Sequence, residues 1–501
     1  MNDVLLLGID IGTTATKVTL FTPEGLVVGE GRATYSTQHP RPGWVEQDPE
    51  QWWNAVCDAM KNAMSEISNV RVAGVAVSAQ APTLIAVDKN GKPLRSAMIW
   101  MDRRADAEAD ELLRKVPTLT SISGNRADPF YVAAKISWFR KNEPELFAQT
   151  HYFLQINGYI NFRLTGEFGL DPAHATLLQL RDYKKGSWSQ ELLSAVGVGV
   201  EHFPEIRESS ALQGEVTAAA SWVTGLRKGT PVFFGTVDGA AAALEAGVID
   251  PGIAAEMTGT STVLLMPIEG AIVEPAFIAM AHAIPDRQLL LGAMVSSGAS
   301  VQWLHEKMFA GNSSIAELMA SAVEVGPGSG GVIFLPYMMG ERAPIWHTNA
   351  RGVFFGLSLT TSQGALVRAV LEGTAFAMAH NVEVARKAGV VINEIRSIGG
   401  GTKNSLWNQI KADVLGIPVV IPKASTGATF GDALVAGIGL GFYPDVRATL
   451  LDVVKIQSTY QPDTARHAYY QLRYQRYRDL YENIKNDFDK SAESASFGEK
   501  Q

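Results

Sequence analysis

The chain has 501 residues, 46% of them hydrophobic and 19% charged, enough for two or more domains with full cores. Its 43 basic and 51 acidic residues give a net charge of −8, which argues against a sequence-independent grip on nucleic acid, because such a grip needs basic surface against phosphates. Cys57 is the only cysteine, so an intrachain disulfide and a multi-cysteine zinc site are excluded, and no apolar run approaches the roughly twenty residues that span a bilayer.

The chain passes from Met1-Asn2-Asp3 into an apolar run without a basic leader, so the expected location is the cytoplasm, with no membrane partner. Val4-Leu-Leu-Leu-Gly8-Ile-Asp10-Ile-Gly12-Thr13-Thr14-Ala15-Thr16-Lys17 predicts a strand, a tight turn and an antiparallel strand. Gly12 lets a phosphate approach the main chain, and the turn N–H groups with the Thr13 and Thr14 hydroxyls can bond its oxygens. Asp10, at the strand end, suits a hydrated Mg²⁺, a hard cation that takes oxygen ligands. An ordinary hairpin with an acid beside it explains this stretch equally well.

Thr22-Pro23-Glu24-Gly25 reads as a turn, and Leu26 to Thr34 as a third strand. Asp48-Pro49-Glu50-Gln51 starts a helix, with Trp52, Val56, Met60, Ala63 and Ile67 on its buried face. A strand follows from Val70 to Val77, then Ser78-Ala79-Gln80. Met98-Ile99-Trp100-Met101-Asp102-Arg103-Arg104 leads into a charged helix. Gln80, Asp102 and Arg103 stand at the ends of apolar segments, where α/β sheets place ligand contacts. The plainer reading makes Asp102 a helix cap and pairs the arginines with nearby acids.

The segment from Gly124 to Trp138 joins a loop to a helix, and Asn157 to Leu164 is a helix stopped by Gly166. The patch from Asp171 to Asp182 holds His174, which reads as structural because the sequence pairs it with no base or metal. The run from Gly229 reads as a buried strand ending in Asp238-Gly239, and a small-residue helix follows. Ile253 to Leu265 then repeats the opening pattern around Gly259-Thr260-Ser261, one copy in each half. Gly399-Gly400-Gly401-Thr402-Lys403-Asn404 separates a strand from a helix and leaves bare backbone for a flat ring or a phosphate. Tyr470, Tyr474, Tyr477 and Tyr481 recur at helical spacing as core, and the small polar end of the chain is expected to lack order.

In this order the motifs Asp-x-Gly-Thr-Thr, Trp-x-Asp-Arg-Arg, Asp-Gly before a small-residue helix, Thr-Gly-Thr-Ser, Gly-Glu-Arg-x-Pro, Ala-Arg-Gly and Gly-Gly-Gly-Thr-Lys-Asn resemble the FGGY carbohydrate kinases of the actin-like ATPase superfamily. The resemblance implies an α/β fold of two actin-like (ribonuclease H-like) domains with an interdomain active-site cleft. They are expected at 1–243, on the sugar side, and 244–488, on the nucleotide side, with a disordered tail at 489–501. It implies ATP and Mg²⁺, with Asp10 at the metal and Asp238 as the catalytic base on the substrate's terminal hydroxyl. Gly12, Thr13, Thr14, Lys17, Gly259 and Thr260 would hold the phosphates, and Gly400, Gly401 and Asn404 the adenosine end. Gln80, Trp100, Asp102, Arg103 and Tyr131, beside Asp238, would line the sugar.

The expected function is transfer of the γ-phosphate of MgATP to a small sugar, first a pentulose as in xylulokinases. Glycerol, erythritol or another polyol or aldonate follows, and an actin-like ATPase switch without sugar kinase activity is the rival from another class. Xylulokinases carry Gln-Met-His-Gly where this chain has Gln80-Ala81-Pro82-Thr83, and Trp100 to Arg104 resembles the Trp-Gln-Asp-Arg-Arg of glycerol kinases. Val132 and Ala365 also depart from the family's usual residues. The partner is a small sugar or polyol, and a homodimer is left open.

Overall fold

The computed structural model describes residues 4–65, 71–311, 314–423 and 427–498, with side chains as far as 492. Its contacts divide the chain into two compact units. The first is Met1–Ile249 with Pro267–Leu289 and Thr426–Val454; the second is Asp250–Met266 with Leu290–Ser425 and Lys455–Gln501. The first unit takes back two later segments. One of them supplies a helix that its sheet needs.

That sheet runs in the order Leu212–Glu215, Pro231–Phe233, Arg71–Ala79, Val4–Ile11, Ala15–Phe21, Val27–Thr34, with Thr236–Val237 also on Arg71–Ala79. The expected hairpin is present, with Asp10 opposite Lys17 and Ile11 opposite Thr16. On its other edge Val4–Ile11 lies parallel to Arg71–Ala79, which puts Asp10 opposite Ser78. The strand expected from Val70 begins at Arg71; Val70 and Ile67 lie outside the described residues.

Strand alternation decides which helix covers which face. Leu5, Leu7, Ile9 and Ile11 join Val75, Val77 and Ala79 in one core with Trp52, Val56 and Met60 of helix Pro49–Met64. That helix starts as its spacing predicts, with the Asp48 carboxylate accepting from the Glu50 N–H at 3.0 Å. The alternate residues Gly8 and Asp10, with Gly74 and Ser78, face helix Ala428–Gly439 and the Leu440 that follows it. A Cβ on Gly8 would lie 1.9 Å from the Thr429 carbonyl oxygen. On the other face a Cβ on Gly31 would lie 1.8 Å from the Ala59 carbonyl oxygen. Glycine is what lets each helix reach the sheet.

The strand after Gly229 is interrupted. Gly235, at φ 74°, separates Pro231–Phe233 from Thr236–Val237 and lies against the Val77 main chain. The charged helix begins at Asp106, so Asp102 is not its cap.

In the second unit the sheet order is Gln288–Met294, Thr262–Ile268, Gly252–Thr258, Ile392–Ile398, Val419–Pro422, Ile456–Tyr460. Gly252–Thr258 is antiparallel to its hairpin partner and parallel to Ile392–Ile398, the same arrangement as Val4–Ile11 in the first unit. Helix Thr464–Gly498 buries Tyr470, Tyr474, Tyr477 and Tyr481, and runs on into the segment 489–501 that composition leaves without order; residues 499–501 lie outside the described ones. No described helix is long and apolar enough to cross a membrane.

Gly8→Ala is expected to destabilise the protein by about 2 kcal/mol or more, since backbone rather than a flexible side chain blocks the new methyl. Gly326→Ala, where nothing lies within 4 Å of the added atom, is the matched control. Equal melting temperatures for the two variants would contradict this packing.

Candidate active site

The turn after Asp10 is held from behind. Its carbonyls are all taken: Gly12 by the Tyr35 hydroxyl, Thr13 by the Gln47 amide at 2.7 Å, Thr14 by the Tyr35 N–H at 3.4 Å. The N–H groups of Thr13 and Thr14 have no partner among the described residues. A turn with anchored carbonyls and free N–H groups is an anion cradle.

Asp10 is half-buried, and its Oδ1 is enclosed with no partner among the described residues. Burial pushes its carboxyl up to about 7; the charge of Asp238 adds to this and Lys17 opposes it. Asp238 is the first residue of helix Asp238–Glu245 and accepts the Gly239 N–H through Oδ1 at 2.7 Å. Burial raises its carboxyl to about 6, against the pull of that bond and of His174.

A third acid arrives from helix Ala428–Gly439. Asp432 is fully buried and accepts the Ser78 hydroxyl at 2.8 Å. Burial, then Asp10, hold its carboxyl well above the usual range. Just before that helix, the Gly427 N–H donates to Glu245 at 3.1 Å. A Cβ on Gly427 would lie 3.3 Å from the Lys17 ammonium and 4.0 Å from Asp10 Oδ2, so this helix begins beside the hairpin.

Among the described residues no three His, Cys, Asp or Glu side chains converge on a metal position. Mg²⁺ needs no such cage, because it is held by one or two carboxylates with waters and substrate phosphates. The unclaimed oxygen of Asp10, in a setting of hard oxygen donors, fits that ion.

The residues expected on the sugar side divide sharply. Asp102 is fully buried, with Val45 N–H at 2.6 Å and the Arg104 guanidinium at 2.7 Å on one carboxylate oxygen. Tyr131 is also fully buried and donates to Asn125 at 2.9 Å. The loop before it is pinned by Lys135, whose ammonium donates to the Pro129 and Phe130 carbonyls and is pulled down to about 7 by burial. Arg103 is partly exposed and pairs with Asp128 at 2.6 Å. Trp100 donates to the Thr13 hydroxyl at 3.2 Å, and Gln80 to Gln47 at 2.8 Å, so both connect to the Gly12 turn.

In the second unit the turn is anchored in the same way. The Gly259 carbonyl accepts from Gly298 at 3.1 Å, and the Thr260 carbonyl from Ser297 at 3.1 Å and Ala299 at 3.0 Å. Gly259 and Thr260 are exposed. A Cβ on Gly401 would meet the Thr258 side chain at 2.4 Å, while Gly400 has nothing within 4 Å. The glycine run therefore lies on the strand end that feeds the Gly259 turn. Beneath it, buried Lys411 pairs with Glu256 at 2.5 Å and donates to Thr258 at 3.3 Å. Asn404 caps helix Ser405–Leu415 through the Trp407 N–H at 2.8 Å, which occupies its side-chain oxygen.

The N-terminal domain of the FGGY family of carbohydrate kinases matches residues 5–245, and its C-terminal domain matches 254–440. The chain belongs to this family. It is 32% identical over 487 residues to the xylulose kinase of Escherichia coli (strain K12), covering 96% of this chain and 99% of that one. It is 29% identical over 469 residues to the glycerol kinase of Thermococcus kodakarensis, covering 91% and 92%. The solved structure of xylulose kinase from Rhodospirillum rubrum matches with a TM-score of 0.90 at 30% identity, over 97% of this chain and 100% of that one. This FGGY kinase is an ATP-dependent sugar kinase with the two-domain actin-like fold.

In this FGGY kinase the structure brings Asp10, Thr13, Thr14, Lys17, Trp100 and Asp238 together in the first unit, and Gly259, Thr260, Gly400 and Gly401 in the second. Sequence reasoning missed Ser78, Asp171, Glu245, Gly427 and Asp432. The register Asp10–Ser78 and the acid inside the small-residue run Gly431-Asp432-Ala433 were the available signals.

Because the folded carboxyl of Asp10 rises from 3.8 to about 7, its ionisation costs stability as pH climbs through that window. In ligand-free, metal-free protein, Asp10→Asn is expected to melt a few degrees above the parent at pH 8 and together with it at pH 4. A melting difference that does not change with pH would contradict the burial of that charge.

Proposed function

We propose that this kinase phosphorylates a terminal hydroxyl of a ketopentose, as its xylulose kinase relatives are named for doing. The observation that supports this most directly is the match to the Escherichia coli enzyme across 99% of that chain. The first-unit geometry agrees with a kinase of this kind. A half-buried carboxyl held near 6 is largely ionised at neutral pH and can accept the proton of an attacking hydroxyl.

In the proposed mechanism Asp238 takes that proton as the sugar oxygen attacks the γ-phosphorus of ATP, the bond from that phosphorus to the β,γ-bridging oxygen breaks, and ADP leaves. Thr13 and Thr14 bond phosphate oxygens through their free N–H groups at the Gly12 turn, Lys17 adds a positive charge, and the exposed Gly259–Thr260 turn meets further phosphate oxygens. Gly400 and Gly401 lie along the adenosine; Asn404 shapes that end mainly as a helix cap. Asp10 would hold Mg²⁺, which when bound supplies charge neutralisation to the phosphates. Positioning and electrostatics supply most of the acceleration in phosphoryl transfer. Gln80, Trp100 and Arg103 contact the sugar, while Asp102 and Tyr131 support it from the interior. The enzyme acts in the cytoplasm on a small sugar, with a homodimer left open.

A second reading, a glycerol or other polyol kinase, is favoured by Trp100 to Arg104 and by the Thermococcus glycerol kinase match. Coupled ADP-release assays across ketopentoses, ketohexoses, glycerol, tetritols and aldonates separate the two. The expected result is kcat/KM highest for a ketopentose, and a polyol or aldonate in that position would replace the reading.

Asp238→Asn is expected to lower kcat by about 10²–10⁴-fold while ATP binding persists. In the parent, kcat/KM is expected to fall as pH drops through about 6, because protonation removes the base. Substantial turnover by Asp238→Asn would take Asp238 out of that role.

A further inference from the structure

Every second-unit residue given to the nucleotide under the proposed function rests on one buried ion pair. Glu256 stands on strand Gly252–Thr258, which ends at the Gly259–Thr260 turn. Lys411 stands on helix Ser405–Leu415, which Asn404 caps. Both side chains are fully buried, and Lys411 Nζ lies 2.5 Å from Glu256 Oε1. Ser397, the register partner of Glu256, stands on strand Ile392–Ile398, which runs into the glycines at 399–401. The pair therefore lies among the three elements that lead to Gly259–Thr260, lead to Gly400–Gly401, and start from Asn404.

Its hydrogen bonds and contacts reach all three. Glu256 Oε1 also accepts the Thr258 hydroxyl and Oε2 accepts the Ser397 hydroxyl, so both carboxylate oxygens are taken. The Lys411 ammonium donates to Thr258 Oγ1 at 3.3 Å and lies 4.7 Å from the centre of the Trp407 ring. Gly401 is seated on those same two side chains: a Cβ there would meet Thr258 at 2.4 Å and Trp407 at 3.3 Å. Trp407 is itself fixed, its indole N–H donating to Thr374 at 3.1 Å and its main-chain N–H to Asn404 at 2.8 Å.

Taking two charges out of water offsets most of their attraction, and apolar residues of the same volume often stabilise a core as well or better. Stability alone therefore does not account for this pair. A fully bonded polar network adds direction, which apolar packing lacks. We infer that Glu256 and Lys411 are a positioning pair for the nucleotide: they set the spacing between the Gly259–Thr260 turn and the Gly400–Gly401 run so that one ligand spans both. The inference rests on the nucleotide lying against those residues, as under the proposed function. Glu256 and Lys411 are enclosed, so neither touches the ligand.

Removing both charges together separates stability from positioning. Lys411→Met or Glu256→Gln alone strands a buried charge and is expected to lower the melting temperature. The double variant strands none. The parent, both single variants, the double variant and Ser397→Ala are compared for melting temperature, the ADP dissociation constant by calorimetry, and KM for ATP and for the sugar the parent turns over fastest.

In the double variant the melting temperature is expected to return close to that of the parent. Its ADP dissociation constant and ATP KM are expected to stay about 10-fold above the parent, with the sugar KM changed less than about 2-fold. Ser397→Ala keeps the pair and unties only the glycine strand; it is expected to weaken ADP about 3-fold at a nearly parental melting temperature and sugar KM. ADP affinity within about 2-fold of the parent in the double variant overturns the positioning role, as does an equal loss for ADP and sugar. Should the double variant fail to fold, Ser397→Ala decides by the same two criteria. Gly400→Val checks the nucleotide placement separately, because nothing lies within 4 Å of a Cβ added there. Parental ADP affinity in Gly400→Val overturns that placement; lost affinity there, with parental affinity in the double variant, overturns the pair alone.

Discussion

Three carboxyl groups with too little water around them set the terms for the first unit. Asp10, Asp238 and Asp432 are each pushed upward chiefly by burial, and Asp10 is pushed further by Asp238, as Asp432 is by Asp10. Charges of one sign gathered out of water cost stability unless something offsets them. Lys17, the Ser78 hydroxyl, the Gly239 N–H and His174 offset part of it. The rest is an electrostatic demand for a cation, which is why an ion with hard-oxygen preference suits Asp10. The packing that creates this demand begins with Gly8: without its bare backbone, helix Ala428–Gly439 could not lie on the strand and bring Asp432 over Ser78.

The two Gly-Thr turns show how a candidate anion site is made from ordinary hairpins. Hydroxyls and threonine-rich sequence are common, but here every turn carbonyl around Gly12 is bonded from behind by Tyr35 or Gln47. In the second unit, residues 297–299 do the same for Gly259 and Thr260. With the carbonyls committed, each turn can offer its N–H groups outward without also offering negative oxygens. Trp52 secures Gln47 by donating to its side-chain oxygen at 3.0 Å, which ties the hairpin to the hydrophobic face of helix Pro49–Met64. Core packing and turn geometry are therefore one construction.

The fold was legible where the pattern is local. The Asp10 hairpin, the Pro49 start, the Gly166 stop and the strand feeding Asp238 follow from alternation, caps and glycine placement, and the repeat at Gly259 announced a second unit. What the sequence did not show are the contacts made across long separations. Asp432 looked like one acid in a small-residue helix, because 354 residues separate it from the Ser78 that it bonds. His174 looked alone although its partner is three residues away, because nothing local shows that Asp171 turns its second oxygen onto the ring. Asp102 was read as a helix cap or a sugar contact, yet the helix starts four residues later and Asp102 is enclosed by Arg104 and Val45.

That last difference bears on substrate choice. Motif resemblance treats Trp100 to Arg104 as one signature, but the structure splits it by depth. Asp102 and Arg104 form a buried pair, with Arg104 stacked 3.7 Å over Trp44 and also paired with Glu46 at 2.6 Å. A change of sugar would leave such a pair in place, because removing one partner strands a buried charge. Trp100 and Arg103 keep accessible surface, and Gln80 adds an enclosed carbonyl oxygen with no partner among the described residues. Resemblance to glycerol kinases in this signature is therefore weak evidence about substrate, since half of it is occupied in holding the loop. On the proposed function, discrimination between a ketose and a simpler polyol falls instead to the few side chains of the proposed sugar side that keep an unspent hydrogen-bonding atom. There a missing or extra hydroxyl leaves a polar group unpaired, and that is the largest penalty a small pocket can impose.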